Sequence, residues 1–213
     1  MIIVPEIQTV VLLVPRTGSG SLRRAVLGKY PQAYQLYRHM EADGVPVGYD
    51  RWRRVGVVRH PIDRLFSMYK FCRDGMGGGY PEYAARMRRS TEGGFEHWLL
   101  HNETVFGGMF DSEDGQRSWA QFAIRHALPE NRKSQWHYLR PDLGTVCYPF
   151  HWMWLLYADL GLGAPHLREN ATEREPWPEL SGAGLDHIRR HHGWDLEHWD
   201  AMPVTRTLVG SAA

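Results

Sequence analysis

Cysteine is almost absent from this chain of 213 residues: only Cys72 and Cys147 occur, far apart and outside any C-x-x-C pair. That excludes a disulfide framework and a zinc ribbon, and it suits a reducing compartment. Lysine is nearly as scarce, with 3 Lys against 22 Arg, and the net charge is only +1. A chain so close to neutral is not built for broad nucleic-acid binding. The longest apolar run near the start, Val10 to Val14, falls far short of the ~20 residues a membrane span needs. The opening residues also lack the basic region and small-residue cleavage site of a secretory signal. No internal repeat and no low-complexity linker divides the chain. These absences leave the expectation of one domain over 1–213, soluble and cytoplasmic, with neither nucleic acid nor membrane as partner.

What is present is an ordinary globular balance, 43% hydrophobic and 23% charged, enough to bury a core without covalent staples. Thr9 to Val14 (TVVLLV) is a short β-branched run that reads as a buried strand. Turn chemistry follows in Pro15 to Gly20, and then a helical stretch from Ser21 to Tyr30. Arg54 to Val58 reads as a second buried strand, followed by a helix that Pro61 opens in its first turn. Further expectations are a helix over Phe95 to His101, a strand over Thr145 to Phe150 and a buried helix over His151 to Leu160. Asp74 to Pro81 and Leu162 to Pro178 read as loops. Leu185 to His192 and Asp195 to Ala201 read as two closing helices. Strands alternating with helices predict an α/β fold with a central parallel sheet.

The loop Pro15-Arg16-Thr17-Gly18-Ser19-Gly20-Ser21 has the makings of an anion cradle. A loop between a strand and a helix N-terminus aims backbone N–H groups at one point, and the helix dipole adds positive charge there. Gly18 and Gly20 permit close approach, Thr17, Ser19 and Ser21 add hydroxyls, and Arg16 adds a charged fork of donors. It is not a Walker A loop, because the G-x-x-x-x-G-K-[ST] frame and its lysine are missing. A second half follows in VVRHPIDRLFSMY, where Arg59 closes a strand and Ser67 lies eight residues on. Eight residues is a little over two helical turns, so Ser67 shares the face of the helix start and can join Arg59 on one phosphate.

These segments resemble the sulfotransferases, in the branch that modifies heparan and other carbohydrates. PRTGSGSL is similar to that family's 5′-phosphosulfate loop, P-K-[ST]-[AG]-[ST]-[ST]-[ST]-[LF]. VVRHPIDRLFSMY is similar to its 3′-phosphate motif, V-R-[ND]-P-x-[DE]-R-x-x-S-x-Y. KSQWHYL (133–139), the stretch 161–177 and WDLEHWDAM (194–202) resemble the family's later P-Q-x-x-Y-L, Leu-Gly-Leu with Asn-x-[ST], and D-[LF]-x-x-[FWY] segments. The resemblance implies a P-loop-like three-layer fold with helices on both sides of the sheet. It implies the donor PAPS (3′-phosphoadenosine 5′-phosphosulfate) and its product PAP. Arg16, Thr17, Gly18, Ser19, Gly20 and Ser21 would hold the 5′-phosphosulfate; Arg59 and Ser67 would hold the 3′-phosphate. The acceptor would be a small molecule or glycan offering a hydroxyl or amine. Arg16 stands where the pattern has Lys, and Gly20 where it has a hydroxyl residue.

Such a transfer needs charge stabilisation on the donor side, from Arg16, and a base for the acceptor proton. His39, between the two motifs, is the candidate base, with Glu41 as a carboxylate alternative. His60 sits beside the 3′-phosphate motif in a supporting place, and His137 is a candidate to line the acceptor cleft. His187, His191 and His192 have helical spacing but no H-E-x-x-H frame, so no metal is expected. Two other readings remain open: a P-loop kinase-like phosphotransferase, and a catalytically degenerate nucleotide-binding protein of the same fold.

Overall fold

The computed structural model describes residues 1–75, 81–105, 126–163 and 175–201. Five strands form one sheet: β1 (Ile2–Val4), β2 (Thr9–Leu12), β3 (Tyr34–Gln35), β4 (Arg53–Val58) and β5 (Val146–Pro149), in the order β3-β1-β2-β4-β5. β2, β4 and β5 run parallel. β1 pairs antiparallel with both β2 and β3. The sheet is therefore mixed, which corrects the expectation of a parallel one. The cause is local. Pro5–Ile7 make a single 3-10 turn, and Gln8 at φ 46° reverses the chain, so β2 must return beside β1 antiparallel. A parallel partner needs a long crossover, which the segments between β2, β4 and β5 supply.

The helices are α1 (Ser19–Lys29), α2 (Pro61–Arg73), α3 (Pro81–Arg89), α4 (Gly94–His101), α5 (Gln135–Leu139), α6 (Met153–Asp159) and α7 (Gly182–Ala201). Alternation along β2 divides its side chains between two cores. Val10, Leu12 and Val14 pack with Tyr138 and Leu139 of α5. Val11 and Leu13 pack with Leu22 and Val26 of α1 and Leu156 and Tyr157 of α6. Both faces are covered, as parallel strands require. A third cluster joins Leu65 and Met68 of α2 to Trp98 and Leu99 of α4 and Ile188 of α7. The two closing helices expected from sequence are one, bent at His192, whose φ of −128° leaves the helical region. Its buried ring explains the bend, since Nε2 donates to the Asn131 carbonyl at 2.8 Å.

Two expected loops are only partly within the described residues: 76–80 of the first and 164–174 of the second, including Asn170, lie outside them. Among the described residues no helix is long and apolar enough to cross a membrane.

Candidate anion-binding site

The loop after β2 is shaped by two left-handed residues, Arg16 at φ 64° and Gly18 at φ 74°. Interrupting the right-handed path in this way turns successive N–H groups toward a common point. Gly18 is also packed tightly. A Cβ there would run into Met153 Cε and come within 3.1 Å of Phe150 Cε2, so only glycine meets both demands. Gly18 is the N-cap of α1, and no side chain caps that terminus. The first-turn N–H groups around Ser19, Gly20 and Ser21 thus face the loop with the dipole behind them. Ser19 and Ser21 are buried in this turn. Thr17 departs from its expected role: its buried hydroxyl donates to the Val14 carbonyl at 3.0 Å, closing the turn instead of facing a phosphate.

The second motif meets the first. Arg59 leaves the end of β4, donates from Nη1 to the Arg16 carbonyl at 3.0 Å and lies 5.0 Å over the Phe150 ring. Ser67, buried on α2, accepts from Arg16 Nε at 3.0 Å. Arg16 also lies 4.8 Å over the Phe71 ring, one turn further along α2. Arg16 and Ser67, expected at opposite ends of a nucleotide, are therefore in direct contact. Burial first, and then the neighbouring Arg59, with Arg38 adding, push the Arg16 guanidinium down to about 10. It remains a cation at neutral pH. Two guanidiniums this close repel each other, and an anion placed between them would relieve that repulsion.

Arg59 is held by residues that sequence reasoning did not single out. Its backbone N–H donates to Gln135 Oε1 at 2.8 Å, and Gln135 Nε2 donates to the Arg59 carbonyl at 2.7 Å. Gln135 N–H in turn donates to both oxygens of Asp195, at 3.0 and 2.9 Å. Both side chains are wholly buried. Each lies in one of the weaker motif-like stretches, KSQWHYL and WDLEHWDAM, which was the available signal.

His39 arrives beside the same strand end. Its Nδ1 lies 2.6 Å from the Leu13 carbonyl, one residue past β2. A carbonyl only accepts, so Nδ1 carries the proton and Nε2 keeps its lone pair. Burial, with Arg38 and Lys133 adding positive potential, lowers the ring to about 3. The folded value lies below the unfolded one. Above pH 6.5 both states are neutral and the ring contributes nothing. As pH falls from 6.5 toward 3 only the unfolded chain takes up the proton, and stability is lost. The substitution His39→Asn should therefore flatten the fall in urea midpoint between neutral and acid pH. A slope equal to that of the parent protein would show that the ring is freely solvated.

Glu41, the carboxylate alternative, is fully buried. It accepts from Lys133 Nζ at 2.5 Å and from the His126 N–H at 3.0 Å, a structural pairing that occupies its charge. His137 bonds Ser134 Oγ at 2.9 Å and is lowered to about 4 by burial and then by His126. His60 sits among aromatics, stacked with Trp177 at 6.3 Å and edge-on to Trp199 at 5.9 Å. The buried Cys72 thiol is pushed up to about 12 by burial and then by Glu130, which leaves it inert as a nucleophile. His187 and His191 do face each other, at 4.6 Å between rings, but among the described residues no group of three or more ligands gathers for a metal. What the chain assembles is an uncapped helix start flanked by two arginines and a buried serine, and no family model, no curated protein and no solved structure matches this chain.

Proposed function

We propose that the chain is a sulfotransferase that moves a sulfuryl group from PAPS to a hydroxyl or amine of a carbohydrate. The reading rests on the convergence of Arg16, Arg59 and Ser67 at the C-terminal ends of two neighbouring parallel strands, β2 and β4. That edge is where open α/β sheets hold their ligands, and on this reading the sheet and first loop act in a P-loop-like way. Phe150 beneath Arg59, and Trp177 and Trp199 around the adjacent His60, support a nucleobase stacked near the 3′-phosphate.

In the reaction the acceptor oxygen bonds to sulfur as the bond between sulfur and the bridging phosphate oxygen breaks, and PAP departs with that electron pair. Arg16 and the first-turn N–H groups of α1 stabilise the leaving phosphate. A guanidinium gives up no proton here, so its contribution is charge alone. His39 Nε2 receives the acceptor proton. A ring held near 3 is a weak base, so it takes that proton late, once bonding to sulfur has made the acceptor oxygen acidic. The rate should accordingly show no acid limb near pH 6.5.

Isothermal calorimetry with PAP tests the binding step, with dissociation constants on the order of micromolar expected. Clear heat with ATP and none with PAP would replace this reading with the phosphotransferase. Transfer of radiolabelled sulfate from PAPS to a panel of glycans then separates an enzyme from a binding protein of the same fold.

A further inference from the structure

The structure assigns Gln135 and Asp195 as positioning residues that set the anion-binding Arg59. This rests on the nucleotide reading above and adds to it a device at the junction of three distant parts of the chain.

Arg59 stands just after β4, at the point where the chain leaves the sheet for α2. Backbone there has lost its ladder partners, and a free turn would let the guanidinium swing. Gln135 replaces those partners with both halves of its amide. One accepts the Arg59 N–H at 2.8 Å, the other donates to the Arg59 carbonyl at 2.7 Å. An amide engaged on both sides in this way has one orientation, and so does the peptide it grips. Gln135 must itself be fixed. It opens α5, a helix of five residues with no side-chain cap of its own. Asp195 supplies that hold from α7: its two oxygens take the Gln135 N–H, and Oδ1 also lies 3.4 Å from the Trp136 N–H. Asp195 sits three residues beyond the helix bend at His192, whose Nδ1 lies 3.5 Å from Asp195 Oδ2. The bend thus turns the carboxylate toward α5 while the His192 ring stays tied to the Asn131 carbonyl. Asp195 and Gln135 are both wholly buried, so water does not compete for these bonds. The line from α7 through α5 ends on Arg59, whose guanidinium then reaches the Arg16 carbonyl.

The test compares PAP with AMP, which lacks the 3′-phosphate that Arg59 would hold. Gln135→Glu keeps shape and the acceptor for the Arg59 N–H, but loses the donor to the Arg59 carbonyl. Asp195→Asn keeps shape and removes the charge. Calorimetry on each full-length variant should show PAP affinity down by about tenfold with AMP affinity unchanged, the size of one well-made hydrogen bond to a charged group. A merely structural role would lower the melting temperature and weaken both ligands alike, or neither. An unchanged ratio of PAP to AMP affinity in both variants overturns the assignment while the nucleotide reading stands. Failure of the unsubstituted protein to bind PAP overturns both.

Discussion

Replacing Arg59 with alanine should weaken PAP binding by about a hundredfold, the value of a charge-assisted pair to phosphate, while binding of AMP changes little. The expectation follows from how Arg59 is built in. Its backbone is clamped, its guanidinium spans from the end of β4 to the loop after β2, and the Phe150 ring lies beneath it. A flexible surface arginine would spend much of its attraction on ordering its own side chain, and this one is already ordered. Arg59→Lys should recover only part of the loss, because a point charge cannot both hold the Arg16 carbonyl and fork onto a phosphate. Removing Arg59 also frees Arg16 from its nearest like charge, the largest cause after burial of its lowered value. Equal affinity of parent and alanine variant for PAP, measured by calorimetry, would remove Arg59 from the site.

The largest effect on stability is expected from Glu130→Gln. Arg64 Nη1 meets Glu130 Oε2 at 2.9 Å with both side chains essentially without solvent. Arg64 Nη2 donates to the Lys133 carbonyl at 2.5 Å, and the Tyr138 hydroxyl donates to Glu130. Burial and the adjoining Glu130 carboxylate raise the Tyr138 phenol well above its ordinary range, so it stays a neutral donor. Taking away the carboxylate charge leaves a guanidinium buried without compensation, at a cost of about 3–5 kcal/mol. That is a large share of the total for any domain. Urea unfolding of the single variant should show the loss. The double substitution Arg64→Met with Glu130→Leu should recover much of it, because the desolvation of both charges disappears together. A single variant as stable as the parent would mean that the pair is reached by water.

The anion site and this ion pair differ in how far they could be read from the chain. Arg64 falls within the same motif as Arg59 and Ser67, and nothing in the spacing separates an arginine bound for the core from one bound for a ligand. Glu130, its partner, is 66 residues away. The same limit hid the hold of Gln135 and Asp195 on Arg59. The stretch KSQWHYL carries a family-like pattern, but the helix that Gln135 opens and the choice of Arg59 as its partner come from the packing of α5 beside β4. Thr17 shows the opposite limit, a local bond that competes with a ligand. A hydroxyl in a glycine-rich loop has a backbone carbonyl three residues back, and that local bond satisfies it first.

By itself the sequence determined what depends on near neighbours. These are the buried strands from β-branched runs, the glycine-rich turn and the helix after it (expected from Ser21, formed from Ser19), the helix opened by Pro61, and the placing of Arg16 and Arg59 just past strands with Ser67 inside the following helix. The sense of β1 is equally local, set by the turn at Pro5–Ile7 and the left-handed Gln8. Only the tertiary structure decided which of these ends meet. Parallel pairing of β2 with β4 brings two loops 43 residues apart onto one edge, so that Arg59 touches the Arg16 carbonyl. It also decided the state of His39, whose ordinary ring becomes a neutral one because burial and two neighbouring cations make its charged form costly. Charge and burial are sums over everything nearby in space, and the chain order lists only what is nearby in sequence.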